Sequence, residues 1–411
     1  MTVLPKLLAA AIFAALSSPA LADLPLDVIA GSEVSFEGLL QADGYKYNSD
    51  ILNLGVTTGS SLGDGRDTDF GMRRAELVLK GKGPGMWNWV IGYDARADKF
   101  LDANISYKFS GFTTLKVGQF KQPNSLEELS STKNNDFIAK AMTTNLQGVA
   151  RRVGVSLGTG ADNWTVTGSV FTRELTRNLG EGNGFGARGT WAPILEDGNF
   201  LHLGLSFVDY EARDAGSAVG VVPVVNGDNR ARFRVRPDAD LTGSRLIDSG
   251  QFVDADRIRT IGAEAAWVHG PVKIQSEMMR SNASRTAHDD FSYDSWYLYG
   301  VWNLTGETWT YKDGLVATTL PNEPASGMWQ LGVRYDHADL NDGSFTAPST
   351  VAGVLGGKES NWTVGVNWYL RSNFKLAMNY VKVSSERYNS VSRRFVQDDP
   401  SIIEARAQFY W

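Results

Sequence analysis

Four arginines occupy every second position in the run Arg230-Ala231-Arg232-Phe233-Arg234-Val235-Arg236-Pro237. In an extended chain alternate side chains point the same way, about 6.5–7 Å apart, so this spacing sets four guanidinium groups along one edge. Like charges that close repel, and a folded chain keeps them only beside water, carboxylates or a passing anion. Two readings follow. Asp228, Asp238 and Asp240 lie nearby and would make the run a salt-bridged loop. Alternatively, the guanidinium forks accept phosphate-like oxygens in turn, as the steps of an anion ladder.

A second basic pair, Arg73-Arg74, opens a segment whose apolar set is Ala75, Leu77 and Leu79. Parity turns Arg74, Glu76 and Lys80 to the polar face. Arg73 falls on the apolar parity, which suits it only at a rim, where its head snorkels to water. In a narrow channel such a pair selects anions. The stretch 121–150 carries Lys121, Lys133 and Lys140 against Glu127, Glu128 and Asp136, so its charges cancel and composition predicts no anion preference there. Leu126–Met142 has a mildly helical pattern, compatible with a loop folded into a lumen or with an external flap.

Other chemistries lack their residues. His202, His269, His288 and His337 are scattered without metal-ligand spacing, and neither a phosphate-binding loop nor a dinucleotide fingerprint is present. No cofactor or metal is expected. A lipid hydrolase on a membrane wall needs an outward His–Ser pair on adjacent strands. His202, between Leu201 and Leu203, has the opposite parity and points inward.

The elements that must hold these groups are strands. Trp362, Val364, Val366, Trp368 and Leu370 alternate with Thr363, Gly365, Asn367 and Tyr369, and Ile403, Ala405, Ala407, Phe409 and Trp411 alternate with Glu404, Arg406, Gln408 and Tyr410. One apolar and one polar face per segment is the period of a strand. Such segments centre on 34–40, 72–80, 87–93, 104–109, 112–120, 152–158, 164–171, 185–191, 201–208, 260–268, 272–279, 296–304, 329–336, 362–370, 374–383 and 402–411. Short connections alternate with long polar ones at 42–69, 121–150, 209–259, 338–360 and 384–400, the asymmetry of an outer-membrane barrel with short periplasmic turns and long external loops. Only 305–328 breaks the rule, being long where a short turn is due. Aromatic residues gather toward segment ends, as at Trp87, Trp89 and Tyr93, where water meets lipid.

The expected class is therefore all-β, a transmembrane antiparallel barrel of about sixteen strands. Backbone groups unpaired in lipid cost several kcal/mol each, so the sheet must close, and sixteen strands enclose a lumen that side chains cannot fill. Lys6, the apolar run Leu7–Leu16 and Ser17-Ser18-Pro19-Ala20-Leu21-Ala22 read as an export signal cleaved after Ala22. That leaves 23–411 as one barrel domain in the outer membrane of a Gram-negative bacterium. Past the signal no window holds 18 consecutive apolar residues, so helical spanning is excluded. The chain has no cysteine, so no disulfide supports an exported fold. A formal charge of −6 argues against nucleic acid as a partner.

Val117-Gly118-Gln119-Phe120-Lys121-Gln122-Pro123-Asn124-Ser125-Leu126-Glu127-Glu128, Met72-Arg73-Arg74-Ala75-Glu76-Leu77 and Leu304-Thr305-Gly306-Glu307 resemble the phosphate-selective porin O and P family, over most of the mature chain. The resemblance implies a trimeric, sixteen-stranded outer-membrane porin whose third loop enters the pore, and it accommodates the long connection 305–328. It implies that Arg232, Arg234 and Arg236 are ladder arginines, that Arg73 and Arg74 lie near the constriction, that Lys133 is its central lysine and that Asp102 is the aspartate beside it. The N-terminal coiled-coil arm of some relatives is absent.

The expected function is passive diffusion of small anions (phosphate, pyrophosphate or polyphosphate) through a homotrimer in outer-membrane lipid, along Arg73, Arg74, Lys121, Lys133, Arg230, Arg232, Arg234 and Arg236, with Asp102 beside them. Alternatives are a general or organic-solute porin of the same fold, a barrel lipid hydrolase, and an adhesin using the long loops.

Overall fold

A computed structural model describes residues 24–29, 32–55, 67–109, 111–176, 182–213, 230–346, 350–371 and 373–411. The export signal 1–22 and Asp228 lie outside the described residues. Sixteen antiparallel strands form the wall. They are β1 (Ser32–Asn48), β2 (Thr68–Lys82), β3 (Trp87–Asp94), β4 (Lys99–Lys108), β5 (Thr114–Lys121), β6 (Arg151–Ala161), β7 (Trp164–Phe171) and β8 (Gly184–Glu196). The second half comprises β9 (Asn199–Glu211), β10 (Ala255–His269), β11 (Val272–Arg285), β12 (Phe291–Asn303), β13 (Met328–Thr346), β14 (Thr350–Leu370), β15 (Phe374–Asn389) and β16 (Ser401–Tyr410). Each pairs with its chain neighbour, and β16 pairs with both β15 and β1, from Leu39↔Tyr410 to Asn48↔Ser401. The sheet is closed and every strand has two partners, as lipid requires. At the seam the Trp411 ring lies over Gly38, where a Cβ would stand 2.1 Å from it.

Parity decides which face is which. On β9, Leu203 and Leu205 are exposed (37% and 67%) while His202 and Val208 are fully buried. Around the wall Val166, Ile261, Met278, Trp302, Val333, Trp362 and Met378 face outward, and Gln41, Asp43, Glu277, Gln330, Arg334, Asn367 and Arg406 face in. Apolar side chains outside and polar ones inside are the arrangement of a barrel in hydrocarbon.

Three departures from the sequence expectations have local causes. The pairing register slips at β1–β2, Gln41 opposing Arg74 and Ala42 opposing Met72. Arg73 is the extra residue of a bulge, and its side chain turns inward instead of reaching a lipid rim. The span 338–360 is not a loop: β13 and β14 continue as a hairpin to Thr346↔Thr350, past another bulge at Asp339/Asn341. The segment after β12 forms a two-stranded hairpin, Trp309–Lys312 with Leu315–Thr318, that folds up inside the barrel. Trp309 and Val316 are buried there, and Phe200 packs against Tyr311 with ring centroids 5.2 Å apart.

Candidate functional site

The connection 122–150 after β5 crosses the lumen. Of the helical pattern over Leu126–Met142 only a short helix, α1 (Leu126–Leu129), and a 3₁₀ turn at Thr132–Asn134 form; a second short helix, α2 (Met142–Gln147), starts where the pattern ends. Inward groups of the far wall fix it. Glu277 on β11 accepts the backbone N–H groups of Leu126 (2.9 Å) and Glu127 (2.8 Å), satisfying the open start of α1. Asp136 pairs with Lys273 at 2.6 Å and accepts the Tyr299 hydroxyl at 3.0 Å. The carbonyls of Asn135, Ile138 and Ala139 accept from Lys375, Arg406 and Arg334 at 2.6, 2.6 and 2.9 Å. The acids of this loop are thus engaged locally. Glu127 accepts from the Ala141 N–H and the Thr144 hydroxyl, and burial raises its pKa. Glu128 pairs with Lys140; burial works to raise its pKa, but Lys140 and Lys121 outweigh it and hold the value at about 2.

The long connection after β9 also enters the lumen, although its length suggested an external loop. Ala231, Phe233 and Val235 are buried against Phe252 of the same connection and against Ile258, Phe291 and Tyr293 on the inner wall, with the Phe233 and Tyr293 ring centroids 4.7 Å apart. Period 2 then turns Arg230, Arg232, Arg234 and Arg236 away from the wall, where all four retain partial exposure. Arg232 pairs with Asp248, Nε to Oδ1 2.9 Å, and Arg236 donates to the Thr242 carbonyl at 2.6 Å. Arg230 and Arg234 have no carboxylate within ion-pair distance among the described residues.

The acids beside the run serve the wall instead. Asp238, at φ +49, breaks the alternation and pairs with Arg334 at 3.2 Å. Asp240 meets Arg73 at 2.8 Å and Arg406 at 3.7 Å; burial opposes its ionisation, yet Arg73, Arg406 and Arg74 hold its pKa below the usual carboxylate range. Among the described residues the salt-bridged reading therefore holds for Arg232 alone, through a different acid, Asp248. The sequence reading missed Arg245, which donates to the carbonyls of Gly243 (2.8 Å) and Ser244 (3.2 Å). Burial, with Arg236 and Arg234 close by, pushes its pKa down to about 10. Burial also lowers the Arg236 pKa, Asp240 opposes this, and Arg73 adds to the lowering. The arginine row thus ends within electrostatic reach of the wall pair.

Arg74 pairs with Glu76 at 3.1 Å, and Glu76 lines a cavity of about 180 Å³. Lys80, Asp102, Lys121, Lys133 and Arg151 line it too, so three residues singled out from the sequence meet there. Asp102 is bound by Arg151, Nη2 to Oδ2 2.7 Å. Lys121 donates to the carbonyls of Glu128 and Ser130, the latter at 2.9 Å, and so closes the end of α1. Lys133 stands 5.6 Å from the Tyr410 ring centre and has no carboxylate within ion-pair distance among the described residues. Arg151, unremarked in the sequence, begins β6 with a second Arg-Arg pair; its likeness to Arg73-Arg74 was the available signal.

His202 lies inside as parity required, with Nδ1 2.9 Å from the Tyr311 hydroxyl and Nε2 3.0 Å from Glu264. Glu264 also binds Arg188, which donates to the Gly314 carbonyl at 2.8 Å. This network clasps the 309–318 hairpin. An outward His–Ser contact does exist, His337 Nδ1 to Ser360 Oγ at 2.8 Å, but among the described residues no carboxylate is within ion-pair distance of that ring to orient it. Among the described residues no cluster suits a metal ion.

The family model described as phosphate-selective porin O and P matches residues 53–411. Porin O of Pseudomonas aeruginosa is 25% identical over 389 residues, 86% of this chain and 84% of its own length. Among solved structures, OmpT, an outer membrane protein of Vibrio cholerae, superposes with TM-score 0.55 at 12% identity, covering 94% of this chain and 99% of its own. The anion-selective porin from Comamonas acidovorans does so with TM-score 0.54 at 13% identity, covering 92% and 100%. Those two likenesses concern the fold, a sixteen-stranded outer-membrane barrel. With the family match spanning β2 to β16 and the segments inserted into the lumen, the chain belongs to the phosphate-selective porin O and P family of outer-membrane porins.

Proposed function

We propose that each barrel of a homotrimer conducts small anions passively, with phosphate, pyrophosphate or polyphosphate as the preferred class. One observation carries this reading: Arg230 and Arg234 face the lumen with no carboxylate within ion-pair distance among the described residues, while Asp238 and Asp240 bind wall arginines. A cation partly withdrawn from water favours a counter-charge, and in a wet channel a passing anion supplies it. The anion leaves one guanidinium as it meets the next, from Arg230, Arg232, Arg234 and Arg236 past Arg245 to Arg73 and Arg74, then to the cavity of Lys121, Lys133 and Arg151. Each step replaces part of the hydration shell and is weak enough to release. Asp102 neutralises Arg151 and keeps the constriction from trapping its cargo. The phosphate selectivity by which the family is described and the anion selectivity of the Comamonas porin agree in sign with this reading.

No bond is made or broken, so the protein is a channel and not an enzyme. Planar-bilayer recordings test the proposal: anion permeability should exceed cation permeability, and phosphate should block chloride current. Cation preference would overturn the ladder. Anion preference without phosphate block would leave a general anion porin of the same fold.

A further inference from the structure

The outer wall carries a line of charge that conduction does not use. Arg280 on β11 opposes Asp294 on β12, Asp294 opposes Asp339 on β13, Asp339 opposes Lys358 on β14, and Lys358 opposes Glu386 on β15. Five charged residues are thus direct cross-strand partners over five consecutive strands. All have the parity of the lipid-facing side chains below them, such as Met278, Leu298, Val333, Val364 and Met378.

Height explains their tolerance. The stacked pair Trp329 and Trp368, with ring centroids 5.0 Å apart, marks the short-turn boundary of the apolar band. Asp339 is ten residues further along β13, roughly 33 Å of strand or about 25 Å along the membrane normal at the usual tilt, which is the height of that band. Trp296, Tyr335 and Trp362 lie one or two rows beneath, packed with ring centroids 5.2 and 4.9 Å apart, as a second aromatic girdle. The charged row sits just above it, at the head groups of the outer leaflet.

Its internal pairing is incomplete. Lys358 reaches Glu386 only at 3.4 Å. Arg280 is exposed, and among the described residues it has no carboxylate within ion-pair distance. Asp294 and Asp339 are directly opposed, an arrangement that like charges disfavour. The occupant must therefore offer negative charge at both Arg280 and Lys358 and positive charge between them.

We propose that the outer face of β11–β15 binds a phosphorylated lipid head group of the outer leaflet, its phosphates on Arg280 and Lys358 and its counter-cations against Asp294 and Asp339. A cation beside an anionic membrane surface contributes about fivefold in binding, so the pair is worth roughly 25-fold.

The test uses the folded trimer in detergent, titrated with diphosphoryl lipid A in the presence of magnesium and read by native mass spectrometry, with phosphatidylcholine as reference. The parent protein should retain lipid A over phosphatidylcholine, Arg280→Gln/Lys358→Gln should lose roughly 25-fold of that preference, and inorganic phosphate should not compete. Asp294→Asn/Asp339→Asn should keep lipid A but lose its dependence on magnesium, and this variant decides the matter if the first does not fold. Equal retention by parent and Arg/Lys variant, displacement by inorganic phosphate, or unaltered magnesium dependence in the Asp variant would overturn the proposal. So would dissociation of the Arg/Lys variant to monomers with lipid retention unchanged, which would make the face a contact between copies.

Discussion

Replacing Arg234 with glutamine removes from the lumen a positive charge that has no carboxylate within ion-pair distance among the described residues, without touching a wall anchor. An anion resting at the neighbouring step lies about 7 Å away, the spacing of alternate residues in an extended chain. With an effective dielectric constant of roughly 40 for a wet lumen, that charge contributes about 1.2 kcal/mol, or roughly sevenfold in local anion concentration. Arg234→Glu doubles the change to about 2.4 kcal/mol, on the order of fiftyfold. Reversal potentials across a salt gradient in planar bilayers report it. The loss of anion preference should be large near 0.1 M salt, where the screening length is about 10 Å, and mostly vanish near 1 M, where it is about 3 Å. Removing Arg232 and Asp248 together deletes one step with its ion pair of 2.9 Å but leaves the net charge unaltered, so selectivity should fall less than in Arg234→Gln. An Arg234→Glu channel of normal conductance whose selectivity stays within about twofold of the parent at low salt would refute the ladder.

Lys133→Glu should reduce or reverse anion preference, by at least tenfold on the same scale; an unchanged reversal potential removes Lys133 from the path. Glu277→Ala leaves two buried N–H groups of α1 without an acceptor, at about 1–3 kcal/mol each, and single-channel records should become noisier as the loop loosens. Glu128, held at about 2 when folded against an ordinary value of 4.5, binds fewer protons in the folded state. Its contribution is complete above pH ~4.5 and fades as pH falls toward ~2, so loop noise should rise on acidification in that window and not on going alkaline. Glu264→Ala leaves buried Arg188 unpaired, a loss of about 3–5 kcal/mol. Trypsin cleavage at Lys312 in the hairpin should then accelerate, and an unchanged rate would show that the clasp does not hold it.

The wall was legible because lipid imposes one rule on every strand: each second side chain meets hydrocarbon. Trp362, Val364 and Val366 obey it, and the alternation placed all sixteen strands. Where the environment stops being lipid the rule loses force. Strict parity leaves Arg73 no place but a rim, and a single extra residue opposite the Gln41/Ala42 step reverses its face without any mark in the composition. The β13–β14 hairpin beyond Asp339 stands above the membrane with water on both sides, so its strands lack the alternation that would have announced them. The stretch 305–328 is visibly too long for a turn, but Trp309 and Val316 give no hint that the apolar surface they seek lies inside the barrel.

The arginine run shows why the site itself was only half legible. Alternation of Arg with Ala, Phe and Val separates an apolar edge from a basic one, and Ala231, Phe233 and Val235 are the buried set. It could not say that the apolar edge would meet the inner wall, because Phe233 and Val235 suit an interior loop and a membrane strand equally. Nor could charge counting assign the acids. Three carboxylates cancel three lysines in the loop 121–150, yet Asp136 faces Lys273, Glu127 faces backbone and hydroxyl donors, and Glu128 faces Lys140, while Lys133 is turned to the cavity with Arg151 and Lys80. Selectivity depends on the charges that remain directed at water once the wall has engaged the others. On the proposed path that remainder is positive although the whole chain is acidic, which is why net charge is the wrong quantity from which to predict what the channel carries.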